Sequence, residues 1–328
     1  WFRNAPQYCN QTAIIDGEKA TTDLNLYKLF TEQCTHLVRS GGRCGLVIPS
    51  GIYTDLGATQ LRAMLFEQTR IGGLFCFENR RALFEGVDSR FKFVVLSFEN
   101  GGRTVSFPAR FMRHDVAELA EFPSGDSLLI EVDLVRRLSP SSLSIMELES
   151  QLELDLAKKL LRFPMLGASP AGCWRFALKR ELHLRDDTIA GVLHTAKAKG
   201  RLPLLTGRRF HQFELTAEEI QYWVDEKAAR LSLIGEKSDD GRRLDYQGYR
   251  WVYRRIARNT DTRTFIATIA PPMVFTEVNS PTIEASADHI TIPQMVFLCA
   301  VTNSFTVDWF LRRKVTTTLN YFYIEQLP

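Results

Sequence analysis

The sequence predicts an α/β fold, the second half of a doubly wound sheet, followed by a domain of different character. Helical and strand-like patterns alternate through roughly the first hundred residues, the alternation then gives way to turns and one long helical pattern, and from about residue 166 the chain turns aromatic and basic in patches. The 328 residues are 45% hydrophobic and 24% charged, a globular composition that excludes a disordered or low-complexity chain and suffices for two domains. With 41 Lys+Arg against 38 Asp+Glu the net charge is only +3, so any nucleic-acid site must be a local patch.

The elements follow in order. Thr22 and Asp23 are cap-type residues, and Leu26, Leu29, Phe30, Leu37 and Val38 then recur at helical spacing until Gly41-Gly42, which predicts a helix over about 24–39. The run CGLVIP, Cys44 to Pro49, reads as a strand buried on both faces of a parallel sheet. An amphipathic segment carrying Leu61, Met64 and Leu65 precedes two β-rich runs, Leu74 to Phe77 and Phe91 to Phe98, expected to close the sheet as an antiparallel edge pair. The charged loop between them holds Glu78, Arg80, Arg81, Asp88 and Arg90; it reads as solvated, although long loops between rigid strands are also common functional sites. Phe107 to Met112 suggests an edge strand, and Ala120 to Ser127 a loop. After Ser139-Pro140, Ile145, Leu148, Leu152, Leu156 and Leu160 keep helical spacing until Pro164, with Glu147, Glu149, Glu153 and Asp155 on a solvated face. The domain boundaries implied are 1–115, a helical linker over 116–165, and 166–328.

Six scattered cysteines without a CxxC pair suggest buried thiols in a reducing compartment. No apolar run reaches the roughly 18 residues of a membrane span and no signal-peptide pattern opens the chain, so a cytoplasmic location and no membrane partner are expected. The start at Trp1, without an initiator methionine or clear periodicity, suggests a piece of a longer polypeptide. No histidine has ligand spacing or a paired nucleophile, so neither a metal site nor a hydrolytic triad is proposed; His211, beside Arg208 and Arg209, reads as a surface histidine or a phosphate contact. No Gly-rich phosphate turn opens a helix. The pair Pro271-Pro272 lacks an amide or carboxylate before it and an aromatic after it, and reads as a turn ending a strand.

The stretches Asn25 to Phe30 (NLYKLF), Leu37 to Ile52 (LVRSGGRCGLVIPSGI) and Phe77 to Phe98 (FENRRALFEGVDSRFKFVVLSF) together resemble the later motifs of adenine amino-methyltransferases acting on DNA, most closely the large methylases of type IIG restriction-modification and phage-defence systems. The resemblance continues through Pro203 to Glu214, Arg258 to Pro271 and Ala300 to Pro328, which look like an α+β target-recognition domain: a strand pair with a P-L-x-x-G-R turn, an Arg-Thr-rich strand, and a final helix with Asn303 and Ser304 before a Leu-Asn-Tyr loop. It implies the second half of a methyltransferase (Rossmann-like) sheet and the target-recognition domain of a site-specific DNA adenine-N6 methyltransferase. The alternative is a non-catalytic DNA-specificity module acting through a partner methyltransferase.

The family's Gly-rich cofactor turn and Asn-Pro-Pro-aromatic tetrapeptide do not precede Asn25, so no catalytic residue is expected in this segment and the S-adenosylmethionine site would be incomplete. Expected partners are double-stranded DNA, the N-terminal remainder of the parent enzyme and other defence-system subunits. By resemblance Phe84 is the base-stacking candidate, its alternative being a core residue at a strand end. Asn25, Leu26 and Tyr27 are the cofactor-side candidates, with an ordinary cap and core as the alternative. The window Arg242 to Arg263 holds seven arginines against two aspartates, with Tyr246, Tyr249, Trp251 and Tyr253 interleaved. It suits DNA contact or, alternatively, a structural helix with paired arginines. The DNA-facing candidates are Arg208, Arg209, Arg254, Arg255, Arg258, Arg263, Lys314 and Asn320. Thr316-Thr317-Thr318 stands where relatives have a Gly-Gly stretch, which puts that loop's contact in question.

Overall fold

The computed structural model describes residues 6–15, 18–20, 23–168, 177–217, 219–235, 238–258, 260–283, 290–315 and 318–328. Thr22, Cys173 and Thr316-Thr317 therefore lie outside the described residues. The chain divides into two compact units, Trp1–Phe163 and Pro164–Pro328.

In the first unit a short hairpin, β1 (Ala13–Ile15) and β2 (Glu18–Ala20), precedes helix α1 (Leu26–Leu37). The cap of α1 is Asn25, whose side chain accepts from the Tyr27 N–H, so the helix starts later than Thr22 and Asp23 suggested. Strand β3 (Arg43–Pro49), the one-turn α2 (Gly51–Thr54), α3 (Thr59–Gln68), β4 (Thr69–Glu78), β5 (Lys92–Asn100), β6 (Ser106–Arg113), β7 (Leu128–Glu131), α4 (Val132–Leu138) and α5 (Gln151–Leu160) complete it. Among the described residues the sheet has the order β3-β5-β4-β6-β7. Strand β5 runs antiparallel to both β3 and β4, and β6 runs parallel to β4 and antiparallel to β7. Strands β3, β4 and β6 thus share one direction, with β5 inserted against it.

Three strand positions differ from expectation. CGLVIP forms an edge strand with alternating exposure, antiparallel to β5, not a strand buried on both faces. The run buried on both faces is Leu74 to Phe77, in the middle of the sheet. A continuous apolar run is the same signal in both places, and only the neighbours tell them apart. Strand β5 is interior and not half of an edge pair, and β6 is likewise interior, even though Pro108 within it brings no backbone donor. Gly73 at the bulge in β4 is required by close approach: a Cβ there would lie 2.3 Å from the Phe122 ring, which packs edge-on against Phe75.

The long helix expected up to Pro164 is confined to α5, capped by Ser150; Ile145 and Leu148 are buried in the extended stretch before it, while Leu152 faces solvent. Within the expected linker, β7 joins the sheet. Glu147 is not on a solvated face: it accepts from the Tyr53 hydroxyl and pairs with Lys92 at 2.5 Å. Arg62 is buried and donates to the carbonyls of Ile52, Asp55 and Ser142, tying α3 to the segment before it and to the stretch between α4 and α5; burial pushes its pKa down to about 10.

The second unit contains β8 (Leu178–Lys179), α6 (Leu184–Ile189), β9 (Leu193–His194), β10 (Arg201–Leu205), β11 (Phe210–His211), β12 (Glu214–Leu215), β13 (Trp223–Asp225), α7 (Glu226–Ile234), β14 (Arg250–Tyr253), β15 (Ala267–Ala270), β16 (Phe275–Thr276), β17 (Thr282–Ile283), α8 (Ile292–Thr302), α9 (Phe305–Arg312) and α10 (Tyr321–Glu325). The described strands make two small sheets, β16-β10-β13-β9 and β15-β14-β17-β8, and a β11-β12 hairpin. Leu182, Leu193, Leu204, Val224, Tyr246 and Phe275 form one core and Leu205, Phe210, Val252, Ile266 and Ala270 another. The centre of the basic window is strand β14, not a helix. Asn303 and Ser304 sit at the junction of α8 and α9, as cap residues of each, and not inside one helix. Pro271-Pro272 follows β15 directly in a turn, as expected. Cys76 and Cys299 are buried, whereas Cys9 is exposed. Among the described residues no helix is long and apolar enough to cross a membrane.

Candidate functional site

Phe84 lies in the loop that leaves the C-terminal end of β4, a strand that runs parallel to β6 on one side and antiparallel to β5 on the other. The loop is closed at its base by Asn79 N–H to Phe91 O, 2.9 Å, so its ends meet as in a compact Ω-loop. The Asn79 side chain organises what lies between: its Oδ1 accepts from Phe84 N–H at 2.9 Å, and its Nδ2 donates to Phe84 O at 3.0 Å and Val87 O at 2.9 Å. Asn79 is 1% exposed, Phe84 46%. The Phe84 ring packs edge-to-face with Phe93, centroids 4.8 Å apart. Phe84 is therefore a half-exposed aromatic on a braced loop and not a core residue. Beside it Glu78, at the strand end, accepts from Arg80 and lies 3.0 Å from His114 Nε2; those bonds hold its carboxyl below the usual range against the opposing effect of burial.

Asn25, Leu26 and Tyr27 divide differently. The Asn25 side chain is committed to the cap, and the buried Tyr27 directs its hydroxyl to Asp55 at 3.3 Å, with its pKa raised by burial and then by that carboxylate. Leu26 is 68% exposed. Of the three, the exposed Asn25 commits its Oδ1 to the cap, Leu26 offers an apolar surface, and Tyr27 faces inward.

In the second unit His211, three residues past the P-L-x-x-G-R turn, and the Arg-Thr-rich segment line one cleft of about 440 Å³. Its lining includes His211, Arg254, Ile256, Ala257, Ile266 and the run Thr260 to Thr264. That run is held from behind by Asp308, whose Oδ1 accepts from Thr264 N–H at 2.7 Å and Phe265 N–H at 2.8 Å while Oδ2 pairs with Arg312 at 3.0 Å. Arg312 also donates to Thr262 O. The Arg263 guanidinium carbon lies 3.8 Å from the ring centroid of Phe305, itself 80% exposed, and its Nη1 makes no hydrogen bond within the described residues.

The predicted DNA-facing residues separate into two groups. Arg208 and Arg258 are exposed; Arg209, in the turn after β10, is partly buried, and Arg263 faces the cleft. Arg254 lines the cleft too, but donates to Phe210 O and packs over that ring. Arg255 donates to Asn320 Oδ1 at 3.1 Å and also reaches Asn279. Lys314 lies over Phe310 at 4.7 Å and donates to Gln326 at 3.1 Å; burial pushes its pKa down to about 7. Arg250, counted in the basic window, is buried, paired with Glu181 at 2.5 Å. Sequence reasoning missed Asn79, Asp308 and Phe305. An asparagine at a strand end reads as a turn residue, and Asp308 and Phe305 stand about forty residues beyond the cleft loop.

No family model matches the chain, and no curated protein matches it. Among solved structures it is similar to restriction-modification enzymes. With the type IIG restriction endonuclease BpuSI it shares 13% identity over 95% of this chain and 43% of that one, TM-score 0.36. With the Type IIL enzyme MmeI in complex with DNA it shares 11% over 80% and 36%, TM-score 0.42. With a nuclease-deletion mutant of the Type ISP enzyme LlaGI, in complex with a DNA substrate mimic, it shares 11% over 92% and 30%, TM-score 0.42. The chain spans 37% and 43% of the length of the first two solved structures it matches.

Proposed function

We propose that this chain is the C-terminal portion of a site-specific DNA adenine-N6 methyltransferase of a restriction-modification or phage-defence system, joining the later half of the cofactor fold to a target-recognition domain. The observation that supports this most is the Phe84 loop. An aromatic kept half-exposed at the C-terminal end of β4, in the motif that resembles the family's base-stacking loop, suits a base drawn out of a duplex. Edge strand β3 and the exposed Leu26, Phe30 and Leu37, which recur along one stripe of α1, fit a unit that continues into further structure. In this reading S-adenosylmethionine supplies the methyl group and is held largely by the remainder of the parent enzyme. Phe84 stacks on the adenine, and the cleft of the second unit with Arg208, Arg258 and Arg263 faces DNA.

The test is incubation with labelled S-adenosylmethionine and mixed-sequence DNA. The full-length protein should incorporate label into DNA as N6-methyladenine and the 328-residue chain should stay at background. Incorporation by the chain alone would sink the reading of it as a portion. A full-length protein that binds one duplex sequence but transfers nothing would favour a specificity module acting through a partner methyltransferase, the second reading that the separate cationic cleft supports.

A further inference from the structure

The structure assigns to Asn79 the role of positioning residue for Phe84: its buried amide fixes the loop so that the Phe84 ring is presented, already ordered, to an extrahelical base. This rests on the methyltransferase reading above. The argument is one of satisfaction. A loop that returns on itself must place its backbone donors and acceptors somewhere, and the donor and acceptor of Phe84 and the acceptor of Val87 all go to one side chain. Only an amide can do this, because it accepts and donates from the same planar group, whereas a carboxylate only accepts and an alkyl group does neither. The remaining braces of the loop are local: Ala82 N–H to Asn79 O, Phe91 N–H to Asp88 O, and Arg90 to Asp88. Of the backbone braces, only the long bond from Val87 N–H to Phe84 O, at 3.4 Å, touches residue 84. Ala82 and Gly86 both have positive φ, at 51° and 75°, so the backbone turns on either side of Phe84; the glycine takes its turn freely, and Ala82 is held by its N–H bond to Asn79 O.

A preordered ring matters because stacking yields its full worth only where the side chain is not ordered at the moment of binding. Removing the anchor should therefore act on the step in which the base is gripped and leave cofactor affinity alone.

The experiment is a double-mutant cycle in the full-length protein: wild type, Asn79→Ala, Phe84→Ala and the double variant, read by single-turnover methyl transfer, S-adenosylmethionine binding, melting temperature and hydrogen exchange of the 79–91 loop. Asn79→Ala should deprotect the residue 84 amide, slow transfer by roughly tenfold, the size of one lost stacking contact, and leave cofactor binding within about twofold. The double variant should transfer no more slowly than Phe84→Ala alone. The melting temperature will fall for a buried asparagine whatever its role, so it decides nothing by itself. Asn79→Asp, which keeps the acceptor for Phe84 N–H and loses both donations, should protect that amide and still slow transfer. Independent, multiplying losses in the double variant, or an Asn79→Ala protein with an unchanged residue 84 amide, would overturn the assignment while leaving the methyltransferase reading intact. A wild-type protein that transfers no methyl group would overturn both.

Discussion

In the first unit the Phe84 loop hangs on one neutral amide, Asn79; in the second the Thr260 to Thr264 run hangs on a carboxylate, Asp308, which in turn pairs with Arg312. An amide satisfies donors and acceptors alike and can brace a loop alone. A carboxylate satisfies only N–H groups and recruits a cation to complete its shell. The second unit therefore spends arginines on its own architecture, and the basic window cannot be read as one surface. Arg250 and Arg255 hold the fold, while Arg208 and Arg258 are exposed and Arg263 faces the cleft.

That division is open to measurement, and the largest effect belongs to its buried side. Arg250→Ala leaves Glu181 as an unpaired charge in the interior, along with a Val274 carbonyl that loses its donor, and should destabilise the protein by about 3–5 kcal/mol in denaturant unfolding. Arg258→Ala should stay within about 0.5 kcal/mol of wild type. Equal losses at the two positions would abolish the distinction.

Next comes the exposed side. If Arg258 and Arg263 neutralise phosphates, each alanine variant should flatten the salt dependence of DNA affinity by about 0.9 in log–log slope, whereas Arg255→Ala should lower stability and leave the slope alone. A guanine contact in place of a phosphate contact would instead cost about 1–3 kcal/mol on the specific duplex only. A slope that follows Arg255 and ignores Arg263 would reverse the assignment.

A further effect, recognised by its pH dependence, is expected at Lys314. Its folded pKa, about 7, lies below that of the unfolded chain, so the unfolded state binds more protons between about pH 7 and 10 and stability rises across that window. Lys314→Met removes the cost of burying the ammonium but also its contacts with Phe310 and Gln326. The variant should melt above wild type at pH 6, with the gap closing as the pH approaches 10. A gap that is constant with pH would place the Lys314 ammonium in solvent and return it to the DNA-facing group.

Much of the fold is legible in the residues. Leu74 to Phe77 and Phe91 to Phe98 form strands where their β-rich runs place them, and the turn at Pro271-Pro272 is where two prolines must end a strand. Strand order is not legible, because CGLVIP and LFCF carry the same pattern and differ only in what lies beside them. Of the candidate site, Phe84 is visible through its motif, whereas its anchor is not, since an asparagine's hydrogen-bond partners are set by how the loop returns.

What the sequence by itself determines here is local: which runs are helix or strand, that no glycine-rich phosphate turn opens a helix, and that arginine and aromatic residues crowd into Arg242 to Arg263. What the tertiary structure alone decides is which of those charges face outward. Arg250 and Arg258 are eight positions apart in one basic window, and their difference comes from Glu181, whose carboxylate lies within 2.5 Å of the Arg250 guanidinium. A charge is buried only where the fold delivers its counter-charge, and that pairing spans 69 positions along the chain, beyond the reach of any local pattern.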